Sequence, residues 1–196
     1  MAMSPEKTRV PTSIKLTITG ASGVGKTTLA KRLAQSLGIA VIPELARDLC
    51  VELGYKKIGE IPDQEGFKRL VFKKQIEVES GMNSFVADRS TIDCWVLWQR
   101  WNICPAMTYD TEALYEACLE HAQTYTHIIY VPPLFQPEDD GFRWTEPDYI
   151  KQIDRITRMT LYDFQLWPKV HTVSSSDLAL RHEMALDWIK SGGLEP

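Results

Sequence analysis

The stretch Gly20-Ala21-Ser22-Gly23-Val24-Gly25-Lys26-Thr27 decides the fold, because it matches the pattern G-x-x-x-x-G-K-[ST] at every position. Residues 14–19 before it alternate and are rich in β-branched side chains, which indicates a strand. Residues 27–38 after it are apolar at helical spacing and end in a glycine. A strand, a glycine loop and a helix in this order predict a phosphate site built from backbone N–H groups and the positive end of the helix.

The loop supplies the predicted nucleotide contacts. Lys26 is expected to reach the β- and γ-phosphates, and the Thr27 hydroxyl is expected to hold Mg²⁺. The sequence has no Asn-Lys-x-Asp guanine signature, so ATP is the expected donor. A chance glycine turn before a helix is the alternative, and the matching flanks disfavour it. The residues predicted to bind the nucleotide are Gly20, Ala21, Ser22, Gly23, Val24, Gly25, Lys26, Thr27 and Thr28.

Length and composition suit one α/β domain over residues 13–196, preceded by a loose tail over residues 1–12. The net charge of −4 weakly disfavours a polynucleotide substrate, although a local groove could still be basic. The four cysteines form no C-x-x-C pair, as expected of reduced thiols in a cytoplasmic protein. Neither a signal peptide nor a membrane-spanning run is indicated.

Five strand-like runs alternate with helical patterns, which predicts a parallel sheet with ligands beyond the carboxyl ends of its strands. The expected strands cover residues 14–19, 39–42, 84–87, 127–131 and 169–173. The expected helices cover residues 27–37, 44–53, 63–80 with Asp63 as cap, 91–101, 111–122 with Asp110 or Thr111 as cap, 147–167, and 177–192 with Asp177 at the start.

Two carboxylates follow strands and are candidates for chemistry. Asp88 follows the buried third strand and could bind Mg²⁺ directly or through water, or it could cap the helix that starts at Thr91. Glu44 follows the second strand and could accept a proton from an attacking hydroxyl, or it could be an acidic first-turn residue favoured by the helix dipole.

Several cations could act with these carboxylates. Arg89 could bind the transferred phosphoryl group or orient the acceptor, or form a structural ion pair. Arg143 lies in a loop that could close over the phosphates, and Arg155 and Arg158 on the next helix are the other candidates for that role. An Asp154–Arg158 surface pair is the alternative for that helix. Arg47, one turn after Glu44, could bind an acceptor phosphate or pair with a neighbouring acid.

Trp95, Trp98 and Trp101 recur every three residues. This stripe is expected to pack against the sheet as core, and one ring could also stack on a flat acceptor base.

Three segments together resemble P-loop nucleoside and nucleotide kinases: the phosphate loop, residues 41–47 and residues 86–90. Deoxynucleoside kinases carry a Pro-Glu whose Glu is the base and a Glu-Arg-Ser after the third strand, and Asp88-Arg89-Ser90 resembles the latter. The closer resemblance is to the small AAA-type ATPase/kinase group that includes the nicotinamide-riboside kinase domain. That group has a P-E-x-A-R segment, a D-R-S and a loop similar to residues 139–143.

The resemblance covers most of residues 14–189. It implies a three-layer P-loop fold with about five parallel strands ordered as in nucleoside monophosphate kinases. It also implies an enzyme that transfers the γ-phosphoryl of Mg·ATP to a hydroxyl of a nucleoside-like small molecule, with Glu44 as the base. Lys26, Asp88, Arg89 and Arg143 complete the predicted catalytic set, and Thr27 and Asp88 are the predicted metal ligands.

Two other functions stay open. One is a kinase acting on a base or end within DNA or RNA, since some related phage enzymes phosphorylate hydroxymethyl groups on bases in DNA. The other is an ATPase that acts through a protein partner.

Overall fold

The computed structural model describes residues 13–101, 109–134 and 144–193. Within these residues, five strands form one parallel sheet in the order β2-β3-β1-β4-β5, which confirms the predicted sheet and its order. The strands are β1 (Lys15–Thr19), β2 (Ala40–Ile42), β3 (Phe85–Asp88), β4 (His127–Tyr130) and β5 (Val170–Thr172). The helices are α1 (Lys26–Leu37), α2 (Leu45–Glu52), α3 (Gln64–Ser80), α4 (Thr91–Trp101), α5 (Tyr109–Ala122), α6 (Pro147–Asp163) and α7 (Leu178–Lys190).

Local chemistry sets several helix ends. Gly38 ends α1 in the left-handed conformation, with φ of 67°. The Asp63 carboxylate accepts a hydrogen bond from Gly66 N at 2.8 Å at the start of α3, and the Asp177 carboxylate accepts one from Ala179 N at 2.7 Å at the start of α7. Both aspartates cap their helices as the sequence predicts.

Several helix boundaries differ from the prediction, and three of them bear on the site or the caps. Helix α6 ends at Asp163 rather than near residue 167, because Gln165 has a φ of 55° and Pro168 follows it. Helix α5 begins at Tyr109, so neither Asp110 nor Thr111 is its cap. Helix α2 begins at Leu45, which leaves Glu44 just outside it.

The core lies between the sheet and its helices. Strand β3 is buried along its whole length, and so is β4. Helix α1 packs on β3 and α7, whereas α4 packs against α3, α5 and α6. This is the three-layer α/β arrangement that the sequence predicts, and it brings the ends of β1, β2 and β3 to one edge. In the described part of the chain, no helix has both the length and the apolar character needed to cross a membrane.

Candidate active site

The loop between β1 and α1 adopts turns that require glycine. Gly20 has a φ of 140°, and a Cβ there would lie 2.4 Å from the carbonyl oxygen of Val131 after β4. Gly23 and Gly25 also have positive φ angles, of 76° and 90°. Gly25 is the last residue before α1, so the loop leads directly into the positive end of that helix. This geometry is that of a phosphate-binding loop.

Lys26 begins α1, and its side chain is buried beneath the loop. Its Nζ donates hydrogen bonds to the carbonyl oxygens of Gly20, at 2.9 Å, and Ala21, at 2.6 Å. Burial, together with the positive charge of Arg89, lowers the pKa of Lys26 from 10.5 to about 8. The ammonium therefore lies within the loop that the sequence assigns to phosphate.

Thr27 and Asp88 come together although 61 residues separate them in the chain. The Thr27 hydroxyl donates to Asp88 Oδ2 at 2.5 Å. The other carboxylate oxygen, Oδ1, is buried and has no hydrogen-bond partner among the described residues. A hydroxyl beside a carboxylate with one unused oxygen fits Mg²⁺, which takes one or two protein oxygens and leaves its other positions to water and phosphate. The described residues contain no cluster of three or more His, Cys, Asp or Glu that could hold a metal ion.

Asp88 does not cap α4, which removes the structural alternative for this residue. Ser90 Oγ accepts a hydrogen bond from Ile92 N at 3.3 Å, and Asp93 Oδ2 accepts one from Ser90 N at 3.1 Å. Ser90 and Asp93 thus cap the start of α4 at the residue spacing of a capping box. The sequence reasoning missed Asp93, although Ser90-x-x-Asp93 has the spacing of such a box.

Arg89 connects the carboxylates of the site. Its Nε donates to Glu44 Oε1 at 2.7 Å and its NH1 to Asp93 Oδ1 at 3.2 Å, while its NH2 reaches Ser22 Oγ in the loop at 3.3 Å. Burial lowers the pKa of Arg89, but the surrounding carboxylates raise it further, above its usual range, so the guanidinium stays charged. Its φ of 77° is left-handed, an uncommon conformation for arginine that is found at functional sites.

Glu44 occupies the position just before α2, but its side chain makes no capping hydrogen bond. The carboxylate turns to Arg89 instead, which argues against a role as a helix-start residue. Burial raises the pKa of Glu44, but the charges of Arg89 and Lys26 outweigh burial, so the pKa lies below its ordinary 4.5. Glu44 is therefore ionised near neutral pH and available to accept a proton.

One pocket contains the loop, the three carboxylates and an aromatic wall. Its far side is formed by α2, α3, α4 and the start of α6. Trp101 and Trp144 meet edge to face with ring centroids 5.4 Å apart, and Trp144 lies 5.6 Å from Tyr149. The residues of this far side are Leu45, Ala46, Arg47, Ile58, Phe67, Lys68, Val71, Gln75, Cys94, Leu97, Trp101, Trp144 and Tyr149.

The tryptophan stripe of α4 is divided between the core and the pocket. Trp95 and Trp98 are buried, 4% and 2% exposed, whereas Trp101 is 40% exposed and lines the pocket. Trp95 and Trp98 are therefore core as predicted, whereas Trp101 is not and is available to a ligand.

The predicted arginines after β4 do not join this site in the described residues. Arg158 on α6 forms an ion pair with Asp154 at 3.2 Å, which is the alternative given above for this helix. Arg155 and Arg158 line a separate shallow depression beside Gln99. Arg143 lies outside the described residues, so its predicted role stays a prediction.

Arg181 on α7 is a residue of the site that the sequence reasoning missed. It is 2% exposed, and its NH1 donates to the carbonyl oxygen of Val24 in the phosphate loop at 2.5 Å. Its Nε donates to the carbonyl oxygen of Ser175, before α7. Arg181 therefore ties the loop to α7. No local motif marks it, because its partners are backbone atoms far away in sequence.

Comparison with known proteins agrees with this geometry. A family model described as an AAA domain matches residues 15–181, and the chain belongs to this family. Among proteins with curated functions, none matches the sequence significantly.

Three solved structures show the same fold. NadR in complex with NR is 24% identical, with a TM-score of 0.72 over 93% of this chain and 52% of the NadR chain, so the chain spans about half the length of NadR. Deoxyadenosine kinase from M. mycoides with bound dATP is 14% identical, with a TM-score of 0.62 over 90% of this chain and 100% of the kinase. Shikimate kinase from Aquifex aeolicus vf5 is 14% identical, with a TM-score of 0.60 over 91% of this chain and 98% of the kinase. The chain thus has the P-loop nucleoside and nucleotide kinase fold.

Proposed function

We propose that this protein is a phosphotransferase that moves the γ-phosphoryl group of Mg·ATP to a hydroxyl of a nucleoside- or nucleotide-like small molecule. The observation that carries the proposal is a single pocket in which a phosphate loop, an ionised Glu44 and an aromatic wall face one another. Two fold relatives were solved with nucleotide ligands, dATP for deoxyadenosine kinase and NAD with AMP-PNP for NadR, which supports a nucleotide donor.

The donor side offers three features that can bind the negatively charged triphosphate. Backbone N–H groups of residues 20–28 bind the phosphates, and Lys26 neutralises their charge. Thr27 and Asp88 would hold Mg²⁺, which would neutralise part of the negative charge of the phosphates. Phosphate oxygens would replace the carbonyl oxygens to which Lys26 now donates.

The acceptor side provides a base and a positioned cation. The acceptor oxygen forms a bond to the γ-phosphorus while the bond from that phosphorus to the bridging oxygen breaks, and ADP leaves. The proton of the acceptor hydroxyl passes to a carboxylate oxygen of Glu44. Arg89 holds this carboxylate at 2.7 Å and lies beside Ser22 of the loop, where it would stabilise negative charge on the transferred group.

The lining of the pocket favours a small molecule over a polynucleotide. Glu44 is half-buried, and aromatic and aliphatic side chains form the wall beyond it. The ionisable lining residues include three carboxylates beside four cations, unlike a basic groove. A flat ring that stacks on this aromatic wall would lie in the same pocket as Glu44.

Transfer of label from ATP tests the proposal. The purified protein is incubated with Mg²⁺, labelled ATP and separate sets of nucleosides, nucleotides and oligonucleotides, and labelled products are counted rather than ADP. We expect a labelled small molecule. Glu44→Gln should lower the transfer rate by about 10²-fold or more with ATP binding retained, on the usual size of general-base effects. Lys26→Ala should abolish transfer.

Asp48→Asn is the matched control, because Asp48 is an exposed residue on the same helix as the acceptor wall and does not line the pocket. Label on oligonucleotides alone would favour the nucleic-acid kinase. ADP release without any labelled acceptor would favour an ATPase. A normal transfer rate in Glu44→Gln would refute its role as the base.

A further inference from the structure

Lys68 is a pocket cation that the proposed chemistry does not use. It lies on α3 and lines the acceptor side, with its ammonium 5.0 Å from the centroid of the Trp101 ring. Its Nζ donates to Gln64 O at 3.1 Å and to Gln64 Oε1 at 3.5 Å, and both acceptors are uncharged. Within the described residues, no carboxylate oxygen forms a salt bridge with it.

Three other cations line the pocket: Arg89, Lys26 and Arg47, whose charge acts on Glu44. Arg89 pairs with both Glu44 and Asp93, and Lys26 lies within the phosphate loop. Two carboxylates act on the Lys68 ammonium: Glu65 lies on α3 itself, and Asp63 lies just before its first residue. Burial nevertheless lowers the pKa of Lys68 to about 8, because these carboxylates do not offset the desolvation of the ammonium.

Helix geometry places Lys68 at the remote end of the pocket. Gln75 lies two turns further along α3 and on the same face, and its side chain donates to the carbonyl oxygen of Arg89. Seven residues at a rise of 1.5 Å separate the two positions by about 10 Å along the helix axis. This separation is comparable to the length of a nucleoside. The side chain of Arg89 in turn binds Glu44, so we place the acceptor hydroxyl at that end of the pocket and its far end toward Lys68 and Trp101.

We propose that the acceptor carries an anionic group, a carboxylate or a phosphate, at the end remote from the phosphorylated hydroxyl, and that Lys68 binds this group. The inference rests on the proposed function for the placement of the hydroxyl at Glu44. An anion at this position offsets the desolvation of the ammonium, and the face of Trp101 keeps the cation in place. Neutral nucleosides would leave Lys68 without a charged partner.

Matched ligand pairs test this by direct binding, measured calorimetrically at pH 7 without ATP. Uridine and orotidine differ by a ring carboxylate, and thymidine and thymidine 3′-phosphate differ by a phosphate that leaves the 5′-hydroxyl free. We expect the acidic member of at least one pair to bind about tenfold or more tightly than its neutral partner. The pair that shows the preference identifies the acid group.

Lys68→Met should remove the preference and leave the affinity for the neutral member within about twofold. Lys73→Met is the control, because Lys73 is exposed on the same helix and does not line the pocket. Equal affinity within both pairs, the absence of binding by all four compounds, or a preference that survives in Lys68→Met would overturn the inference.

A parallel transfer assay separates this inference from the proposed function. A binding preference that depends on Lys68, with no labelled product from any acceptor, would refute only phosphoryl transfer. Labelled neutral acceptors with no preference for an acid group would refute only the role of Lys68.

Discussion

Replacement of Glu79 by glutamine should stabilise the protein at high pH. Glu79 on α3 is 1% exposed, and its carboxylate accepts hydrogen bonds from Gln75 Nε2 at 2.6 Å and from the Tyr125 hydroxyl at 2.9 Å. His121 Nδ1 lies 3.5 Å from the same carboxylate. Burial raises the pKa of Glu79 from 4.5 to about 7, and the two hydrogen bonds and the charge of Lys15 offset only part of this effect.

The size and sign of the effect follow from proton linkage. The folded protein binds the proton of Glu79 more tightly than the unfolded chain, so stability falls as the pH rises from 4.5 to about 7. The difference between these pKa values corresponds to about 3 kcal/mol, all of which is lost above pH 7. Glutamine carries no charge at any pH, but its amide nitrogen cannot accept one of the two hydrogen bonds, which costs about 1 kcal/mol. Glu79→Gln should therefore be about 2 kcal/mol more stable at pH 8, which raises Tm by about 4–8 °C in a chain of this length.

Thermal and urea unfolding between pH 4.5 and 8.5 measure the difference between variant and wild type. Glu77→Gln is the control, because Glu77 is an exposed neighbour paired with Lys74 at 3.2 Å, a contact worth less than about 1 kcal/mol. Burial lowers the pKa of His121, which lies beside Glu79 and is present in every variant. A difference that stays constant across the pH range would refute the reasoning, as would a variant less stable than wild type at pH 8.

Two further predictions concern the phosphate loop. In urea unfolding, Gly20→Ala should destabilise the protein by about 2–3 kcal/mol, because the new Cβ would lie 2.4 Å from Val131 O. Gly38→Ala is the control: open space surrounds this position, so the substitution should cost only about 1 kcal/mol. Equal losses would show that the close approach to β4 is unimportant. The affinity for Mg·ATP should fall as the pH rises above about 8, because bound phosphates require the protonated form of Lys26. Calorimetry in two buffers of different ionisation enthalpy should then detect proton uptake on binding. Lys26→Arg should show neither effect, and a wild-type affinity that is constant up to pH 9.5 would contradict this prediction.

Local patterns allowed much of the fold to be predicted from the sequence. The phosphate loop, the cap residues Asp63 and Asp177, and the glycine after α1 act through neighbours within a few residues. Helix α4 has the predicted bounds, residues 91–101. The sheet order followed from the resemblance rather than from these signals.

The parts of the site that escaped prediction depend on distant contacts. Trp144 meets Trp101 across the pocket, and Arg181 bonds the carbonyl of Val24, 157 residues earlier. The carboxylate of Glu44 reaches Arg89 only because β2 and β3 are neighbours, whereas Asp93 lies four residues after Arg89. No sequence period encodes such pairs, and Asp93 alone had a readable local signal.

The bond from Arg181 to Val24 also bears on when nucleotide binding appears during synthesis. A nascent polypeptide that lacks α7 also lacks the guanidinium that anchors the loop. We therefore expect nucleotide affinity to appear only after α7 has been made and has folded, so that Mg·ATP protects a chain that contains α7 from proteolysis but not a chain cut after Ser176.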